Sequence, residues 1–488
     1  MVKWHRLIIS GILLATLGSV TGCTRSRSTA QPDSGPVTLT MYQVGTRPKH
    51  YQRLITRANK ILVRRANAKL KITYIGWGNY SQKMAVINSS GAHYDLAKAD
   101  NYSVNAQRGV YADLTKLLPK YAAKAYHQLD PAYVKGNTID GKLYALPVNG
   151  NVYGTQVIAF NQRLVKKYGL DISHVHSYAA LAPVLKAFHK KAPKTVAFAV
   201  GKGFKVESNF DYPLGNTLPF AVDVSAGGNH RKIVNQYDSP QMRANLQALH
   251  RYYLAGYVPR DATTSNTNFP INELNWFARQ ETVGPYDYGD LALNYAAGGT
   301  DRIVSKTITT PLKSVSQLQV FNWVVGRGSK HQALAVKVLG LLQTDRALLN
   351  GLVWGQSGVD YHKTGTNTIS LTAQYSSQNQ MAPWMTGNNA NLYTTDQVTT
   401  KMLKHRDQTI KQAVSSPLLG FTPDTSAVKT EIAAIQTIMD QYIDGLNTGT
   451  SAPLRTIQQM DAALQRAGYA KVQRLLQQQY TDYLAKQA

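Results

Sequence analysis

Val37, Leu39 and Met41 alternate with Thr38 and Thr40, the period of two that predicts a half-buried strand. Thr46 and Pro48 then offer a cap and an early helical proline. Leu54, Ile55, Ala58, Ile61 and Leu62 follow at helical spacing between Lys and Arg, which predicts an amphipathic helix able to lie on a sheet. A strand over 69–75, a helix near 82–89, a short strand around 94–99 and an aromatic-rich stretch to Tyr111 continue the alternation. Strands alternating with helices read as an α/β lobe with a mainly parallel sheet.

Past Leu146-Pro147 the chain enters Val148-Asn149-Gly150-Asn151-Val152-Tyr153-Gly154, a segment suited to crossing between lobes. A β-like run over 155–161, a helix holding Leu164 and Val165, a loop-like stretch over 201–222 and a helix around 242–253 make a second α/β block ending near Ser305. The stretch 308–325 reads as strand. Ser329 with Gln332 reads as a capping box opening a helix through Ala335, Val338, Leu339 and Leu342. The C-terminal third is helical: Val428, Ile432, Ile435, Met439, Tyr442 and Leu446 form a narrow apolar stripe up to Asn447-Thr448-Gly449. Two more stripes follow, Ile457, Met460 and Leu464, then Val472, Leu475, Leu476 and Tyr483; core packing, not partner binding, is the expected use of all three.

The N-terminus has a different pattern. Lys3, His5 and Arg6 precede an apolar run from Leu7 to about Val20, shorter than the roughly 20 residues of a stable span, which reads as an export signal. The tetrad Val20-Thr21-Gly22-Cys23 resembles a bacterial lipobox. That resemblance implies cleavage before Cys23, the chain's single cysteine, and lipidation of its sulfur. Two acyl chains on one residue suffice for stable attachment. Residues 24–36 (TRSRSTAQPDSGP) carry no periodicity and read as a flexible tether. The expected anatomy is therefore a signal peptide at 1–22, a lipidated cysteine and tether at 23–36, and a folded body from Val37.

At 488 residues and 43% apolar content the chain is too long for one core and too apolar for disorder. Lys and Arg exceed Asp and Glu by 54 − 27 = +27. Such a balance favours anionic surroundings, and a protein held beside anionic lipids and wall polymers gains from it. Nucleic acid is disfavoured, because the bases are scattered and neither an RNP-like aromatic motif nor zinc-finger spacing occurs.

No catalytic signature stands out. His-Glu-x-x-His and Gly-x-Ser-x-Gly are absent, and Gly326-Arg327-Gly328-Ser329-Lys330 lacks phosphate-loop spacing. His174 and His176 suit a solvated loop better than a metal pair. Glu207 with Asp211, or Asp287 with Asp290, could flank a glycosidic bond only at a separation that sequence does not give. No cofactor, metal or catalytic residue is expected. What recurs is aromatics interleaved with Asn, Asp and Gly in loops: Gly76-Trp77-Gly78-Asn79-Tyr80, Asp100-Asn101-Tyr102, Asn149 to Tyr153, and Gly284-Pro285-Tyr286-Asp287-Tyr288. Aromatic faces can stack on the apolar side of a sugar ring while amides and carboxylates bond its hydroxyls.

At these residues the chain resembles the extracellular solute-binding lipoproteins of ABC importers, in the LplA/LipO-like branch. The resemblance runs along nearly all of the body. It is most specific at Tyr74 to Tyr80 with Lys83-Met84, at Ser90-Gly91 and Tyr94-Asp95, and at Ser416-Pro417-Leu418-Leu419-Gly420-Phe421 continuing to Ile432. It implies a two-lobed, type II periplasmic-binding-protein-like α/β fold of maltose-binding-protein-like architecture, with hinge strands and a helical C-terminal region. By that analogy lobe one is 37–153 plus 308–344, and lobe two is 154–307 plus 345–488. The resemblance further implies a carbohydrate ligand, an oligosaccharide for preference, trapped between the lobes, delivery to ABC permease subunits in the membrane, a monomer lipid-anchored on the outer face of the bacterial cell membrane, and no catalysis. Trp77, Asp100, Asn101 and Tyr102 would act from lobe one, Tyr286 and Tyr288 from lobe two, and Asn149, Asn151 and Tyr153 near the hinge. Tyr286 stands where sugar binders often have Trp, and Asn151 where they often have a carboxylate. The rivals are an importer of peptides held through Asp100 and Glu207, a secreted carbohydrate-active enzyme, and a surface adhesin for acidic polymers.

Overall fold

The computed structural model describes residues 35–265 and 269–487. The expected signal peptide, Cys23 and the expected tether as far as residue 34 lie outside the described residues. Nine strands build two principal sheets: β1 (Val37–Val44), β2 (Ala68–Ile75), β3 (Leu96–Lys98), β4 (Ala145–Pro147), β5 (Thr155–Asn161), β6 (Val196–Phe198), β7 (Trp276–Val283), β8 (Ile303–Thr307) and β9 (Asn322–Val325). The first sheet has the order β2-β1-β3-β9-β4 and the second β8-β5-β7-β6.

The alternation read in the sequence is what buries the first sheet. Leu39, Met41, Leu70 and Ile72 point to one face, where Leu54, Ile55, Ala58 and Leu62 of the helix Tyr51–Ala66 cover them. β1, β2 and β3 run parallel, with Val37 opposite Ala68 and Met41 opposite both Ile72 and Leu96. The sheet is mixed, however, because the late strand β9 inserts antiparallel between β3 and β4. The second sheet is mixed too: β7 is antiparallel to β5 and parallel to β6.

Three local expectations change. The stretch 308–325 is two short strands, Leu312–Lys313 and Asn322–Val325, separated by the helix Val315–Leu318, whose first turn is capped by Ser314. The helix beginning at Gln332 has no capping box, since the Ser329 hydroxyl donates to Asp95 at 2.6 Å and Gln332 turns back to the Arg327 carbonyl. Residues just after 344 do not join the second lobe. The helix Arg346–Val353 lies beside Tyr51–Ala66, and its Leu348 and Leu352, with Met381, are buried in the first core. The chain continues around lobe one because this helix has apolar side chains to bury and the first core has the open face that accepts them.

The C-terminal helices Lys429–Asn447, Pro453–Arg466 and Tyr469–Ala485 complete the second core. Ile435, Met439, Leu446, Ile457, Met460, Leu464, Val472 and Leu476 are buried there with Phe160, Phe188 and Phe277. Phe188 and Phe277 stack at 4.0 Å between ring centres. Among the described residues no helix is long and apolar enough to cross a membrane.

Between the cores the backbone crosses at 151–154, at Leu312–Lys313 and at Val414–Ser415. The last two pair in parallel, and Gly154 exchanges backbone hydrogen bonds with Leu312 at 3.0 and 3.1 Å. A side chain at Gly154 would displace the end of the Gln317 side chain, whose Nε2 donates to the Asn151 carbonyl at 3.2 Å. Lys313 bonds Asp130 of lobe one at 2.9 Å, and the Asp211 carboxylate of lobe two accepts the Val315 amide at 3.1 Å.

Ile435 is fully buried under the second core, so Ile435→Ala is expected to lower unfolding free energy by about 2–5 kcal/mol. Urea denaturation checks this, and a loss below about 0.5 kcal/mol would contradict the packing.

Candidate ligand-binding cleft

In the first sheet the C-terminal ends of β1, β2, β3 and β4 lie on one rim, the edge where open α/β sheets hold ligands. Trp77 follows β2 there. It is 57% exposed and stacks on Trp384 at 5.9 Å and 16°. Asn151, beyond β4, donates from Nδ2 to the Trp384 carbonyl at 2.9 Å, which ties the first crossing segment to that ring.

The opposing wall comes from the end of β7. The Gly284 amide donates to the Asp287 carboxylate at 2.6 Å, closing a turn that puts Tyr288 in the left-handed region at φ +52. Tyr286 and Tyr288 meet edge to face at 6.5 Å and 89°. Arg406, on the helix Thr400–Gln412, lies 5.3 Å from the Tyr286 ring centre and 5.8 Å from that of Tyr288, and donates to the Tyr288 hydroxyl at 3.0 Å. Asp407 takes its other nitrogen at 2.7 Å.

Between the walls lies a cavity of about 200 Å3. Tyr286, Tyr288 and Tyr295 line one side; Trp354, Tyr375, Trp384 and Tyr393 line the other, with Asn151 at the hinge end. Trp354 Nε1 is buried without a hydrogen-bond partner among the described residues. Two further cavities adjoin. One of about 430 Å3 shares Tyr295 and Tyr375 and is edged by Thr300, Ser370, Thr372 and Asp396; one of about 330 Å3 shares Tyr286 and is edged by Gln128, Asn149, Asn388 and Asn391.

Burial pushes the Asp287 carboxyl up to about 6; the Gly284 amide opposes the rise, and Glu281 adds to it. Burial likewise raises Tyr286 to about 12, against the pull of Arg406.

The residues singled out in the sequence fall in several places. Tyr286, Tyr288 and Asn151 meet in the aromatic cavity; Trp77 backs it through Trp384; Asn149 lines the neighbouring space and donates to the Gln128 carbonyl at 2.9 Å. Tyr153 is buried, its hydroxyl pKa raised to about 12 by burial, and does not line the aromatic cavity. Asp100 is 7% exposed and accepts from Ser81 at 2.6 Å and from Asn101 at 3.3 Å. Asn101 and Tyr102 line a separate cavity of about 300 Å3, facing Tyr212, Asn216 and Phe421; the Tyr102 hydroxyl donates to the Asn137 carbonyl at 2.7 Å.

Of the carboxylates weighed for catalysis, Asp287 lines the aromatic cavity and the other three lie elsewhere. Asp211 is buried under the hinge, and Asp290 holds Ser305 through its amide at 2.9 Å and its hydroxyl at 2.5 Å. Glu207 lies by Tyr178 and Asn245 of the second lobe and lines none of these cavities, which removes half of the peptide-binding arrangement. Among the described residues no group of three or more His, Cys, Asp or Glu side chains could hold a metal.

Sequence reading missed Tyr295, Trp354, Tyr375, Trp384, Tyr393 and Arg406. The signal at Pro383-Trp384-Met385-Thr386-Gly387-Asn388-Asn389 was the one used elsewhere, an aromatic beside Gly and Asn.

Residues 62–348 match the family described as bacterial extracellular solute-binding protein, and 417–485 match a domain of unknown function, DUF3502. A carbohydrate ABC transporter substrate-binding protein of Streptococcus pneumoniae serotype 4 is 44% identical over 474 residues, covering 96% of this chain and 95% of that protein. The crystal structure of the N-glycan transport solute binding protein NgtS from Streptococcus pneumoniae in complex with Man5GlcNAc superposes with TM-score 0.86 at 44% identity, over 93% of this chain and 99% of that one. Its complex with Man1GlcNAc gives TM-score 0.87 at 44% identity, over 92% and 99%. These are binding components of transporters and not enzymes, and they share the two-lobed, type II α/β fold built here around two cores and three crossings. The chain belongs to the bacterial extracellular solute-binding protein family.

Proposed function

We propose that this protein is the receptor of an ABC importer for oligosaccharides, that it closes its lobes over the glycan in the aromatic cavity, and that a lipid on Cys23 holds it at the outer face of the membrane. The observation that carries the ligand class is the pair of facing aromatic walls, Tyr286 and Tyr288 against Trp384 and Tyr393. A pyranose offers an apolar face to such rings and a fan of hydroxyls at its edge. Asn151, Asp287 and the polar margins of the two adjoining cavities match that edge. The combined space exceeds what one sugar needs and falls within the range of ordinary small-molecule sites. The 44% identical relative with Man5GlcNAc and Man1GlcNAc bound makes a mannosyl N-acetylglucosamine glycan the first candidate ligand.

Closure follows from where the contacts lie. A ligand favours the closed state only through contacts it makes better there, and a glycan between Tyr286 and Trp384 touches both walls at once. The permease then receives the closed, loaded form, as the relatives' membership of ABC transporters supports.

Calorimetric titration with Man5GlcNAc is expected to give saturable binding, and Tyr286→Ala to weaken it at least about tenfold, roughly 1.4 kcal/mol, with the melting temperature little changed. Binding of peptides alone, or unchanged glycan affinity in a folded Tyr286→Ala variant, would overturn the assignment. Asp287 gives a pH test. Its raised pKa means that the folded state holds the proton more tightly than the unfolded chain, so its contribution to stability is present at about pH 4 and is lost as pH rises through about 6. Relative to the parent, Asp287→Asn should therefore gain stability between pH 4 and 7.5, by roughly 1 kcal/mol once partial solvent screening is allowed for. A constant difference would contradict a buried carboxyl. For the anchor, the parent is expected to incorporate a labelled fatty acid and Cys23→Ser to lose both label and membrane association; a labelled Cys23→Ser protein would refute it.

A further inference from the structure

The strand ends opposite the cleft have their own chemistry. Val37 starts β1 level with Ala68 at the start of β2, and its amide donates to the Asn67 carbonyl at 3.0 Å, just past the end of the helix Tyr51–Ala66. Arg64 and Arg65 stand in that helix's last turn, and Lys69 is the second residue of β2. β9 runs the other way and delivers Arg327 and Lys330 to the same end: Gly326 donates to the Asp95 carbonyl, and Thr40 of β1 bonds Asp95 in turn.

β2 and β9 are three strand spacings apart, about 14 Å, so these five bases form one band across the base of the sheet. All five are exposed. The acids at this end are engaged: Asp95 is 8% exposed and accepts from Ser329 and Thr40, and Asp345 pairs with Arg65. Among the described residues Arg64, Lys69, Arg327 and Lys330 make no ion pair.

A second observation gives the partner. The chain enters the fold at Val37, in the middle of this band, and thirteen residues (24–36) separate it from Cys23, a path of fourteen Cα steps. A tether of that length has a root-mean-square span of about 20 Å and a limit near 48 Å, short enough to keep the base of lobe one at the bilayer surface. Arg25 and Arg27 lie along it, against one acid, Asp33.

We infer that the band formed by Arg64, Lys69, Arg327 and Lys330, at the foot of the tether, docks on the anionic phospholipid headgroups of the membrane and turns the cleft away from it. The inference rests on the anchoring reading given above. Because the cleft rim lies at the opposite ends of the same strands, the docked protein presents its aromatic cavity to the surroundings for capture. Delivery requires release from the lipid, so the contact is weak and sensitive to salt.

The test uses the chain from Thr24 onward, without lipid, in co-sedimentation with vesicles of phosphatidylglycerol in phosphatidylcholine. The protein should bind these vesicles at low salt, bind phosphatidylcholine alone poorly, and lose binding as salt rises. A variant carrying Arg64→Gln, Lys69→Gln, Arg327→Gln and Lys330→Gln should bind at least about tenfold more weakly with unchanged Man5GlcNAc affinity. A variant with the same change in net charge on lobe two, Lys186→Gln, Lys190→Gln, Lys194→Gln and Lys232→Gln, should bind like the parent. Equal losses in both variants would reduce the effect to overall charge and overturn the docking face. Absence of vesicle binding would overturn it too, as would retention on soluble polyglycerol phosphate without vesicle binding, which would assign the face to wall polymer. Mass spectrometry of residue 23 reads the anchor separately, so loss of one reading is not mistaken for loss of the other.

Discussion

The backbone crosses from one core to the other at short segments, and everything the protein does with a ligand depends on them. Gly154 sits against the end of the Gln317 side chain and exchanges backbone bonds with Leu312, which itself pairs with Val414. Lys313 is fastened to Asp130 in lobe one and Val315 to Asp211 in lobe two, so the crossing strands are held by one charged partner on each side. In the proposed closure such a joint is the place where the angle between the lobes changes. A ligand between the walls works against that angle.

The walls are built differently. On lobe two, Tyr286 and Tyr288 stand on a turn closed by Asp287 and are clamped by Arg406, a cation over two rings that also donates to the Tyr288 hydroxyl. The helix that supplies Arg406 has no fully buried residue; it reaches these tyrosines through Arg406, and its Ile410 packs against the small cluster of Tyr133, Val152 and Tyr153. On lobe one, Trp384 is held between Trp77 and Phe321 and fixed at its carbonyl by Asn151. Aromatic faces fixed on both sides lose little side-chain freedom when a sugar arrives, which keeps the entropic cost of binding low.

Local patterning made much of this legible. The alternation from Val37 to Met41 and the stripe from Ile435 to Leu446 bury Leu39, Met41, Ile435, Met439 and Leu446 fully and Val37 and Tyr442 in part, because strand and helix periods are set by the backbone itself. Tyr286 and Tyr288 could be picked out because glycine, proline and acid surround them in one short segment. What could not be read depends on tertiary choice. Nothing within 346–353 says which core it joins, and Ser329 looks like a cap until Asp95, 234 residues away, takes its hydroxyl. The same applies to the site: Trp354 ends the helix Arg346–Val353, Tyr375, Trp384 and Tyr393 come from the long connection between the strands Thr368–Leu371 and Thr394–Thr395, and Arg406 meets Tyr288 across 118 residues. Asp100 shows the reverse, since its loop composition suggested a ligand and its carboxylate is bonded to Ser81.

The central claim is that a glycan lies between Tyr286 and Trp384, and a crystal structure of the protein with Man5GlcNAc tests it most directly. The account predicts a sugar ring stacked on Tyr286 or Tyr288, a second against Trp384 or Tyr393, and further units extending toward Thr300 and Asp396 or toward Asn149 and Asn391. Density for the glycan in the separate cavity of Asn101, Tyr212 and Phe421, with the aromatic walls bare, would contradict it.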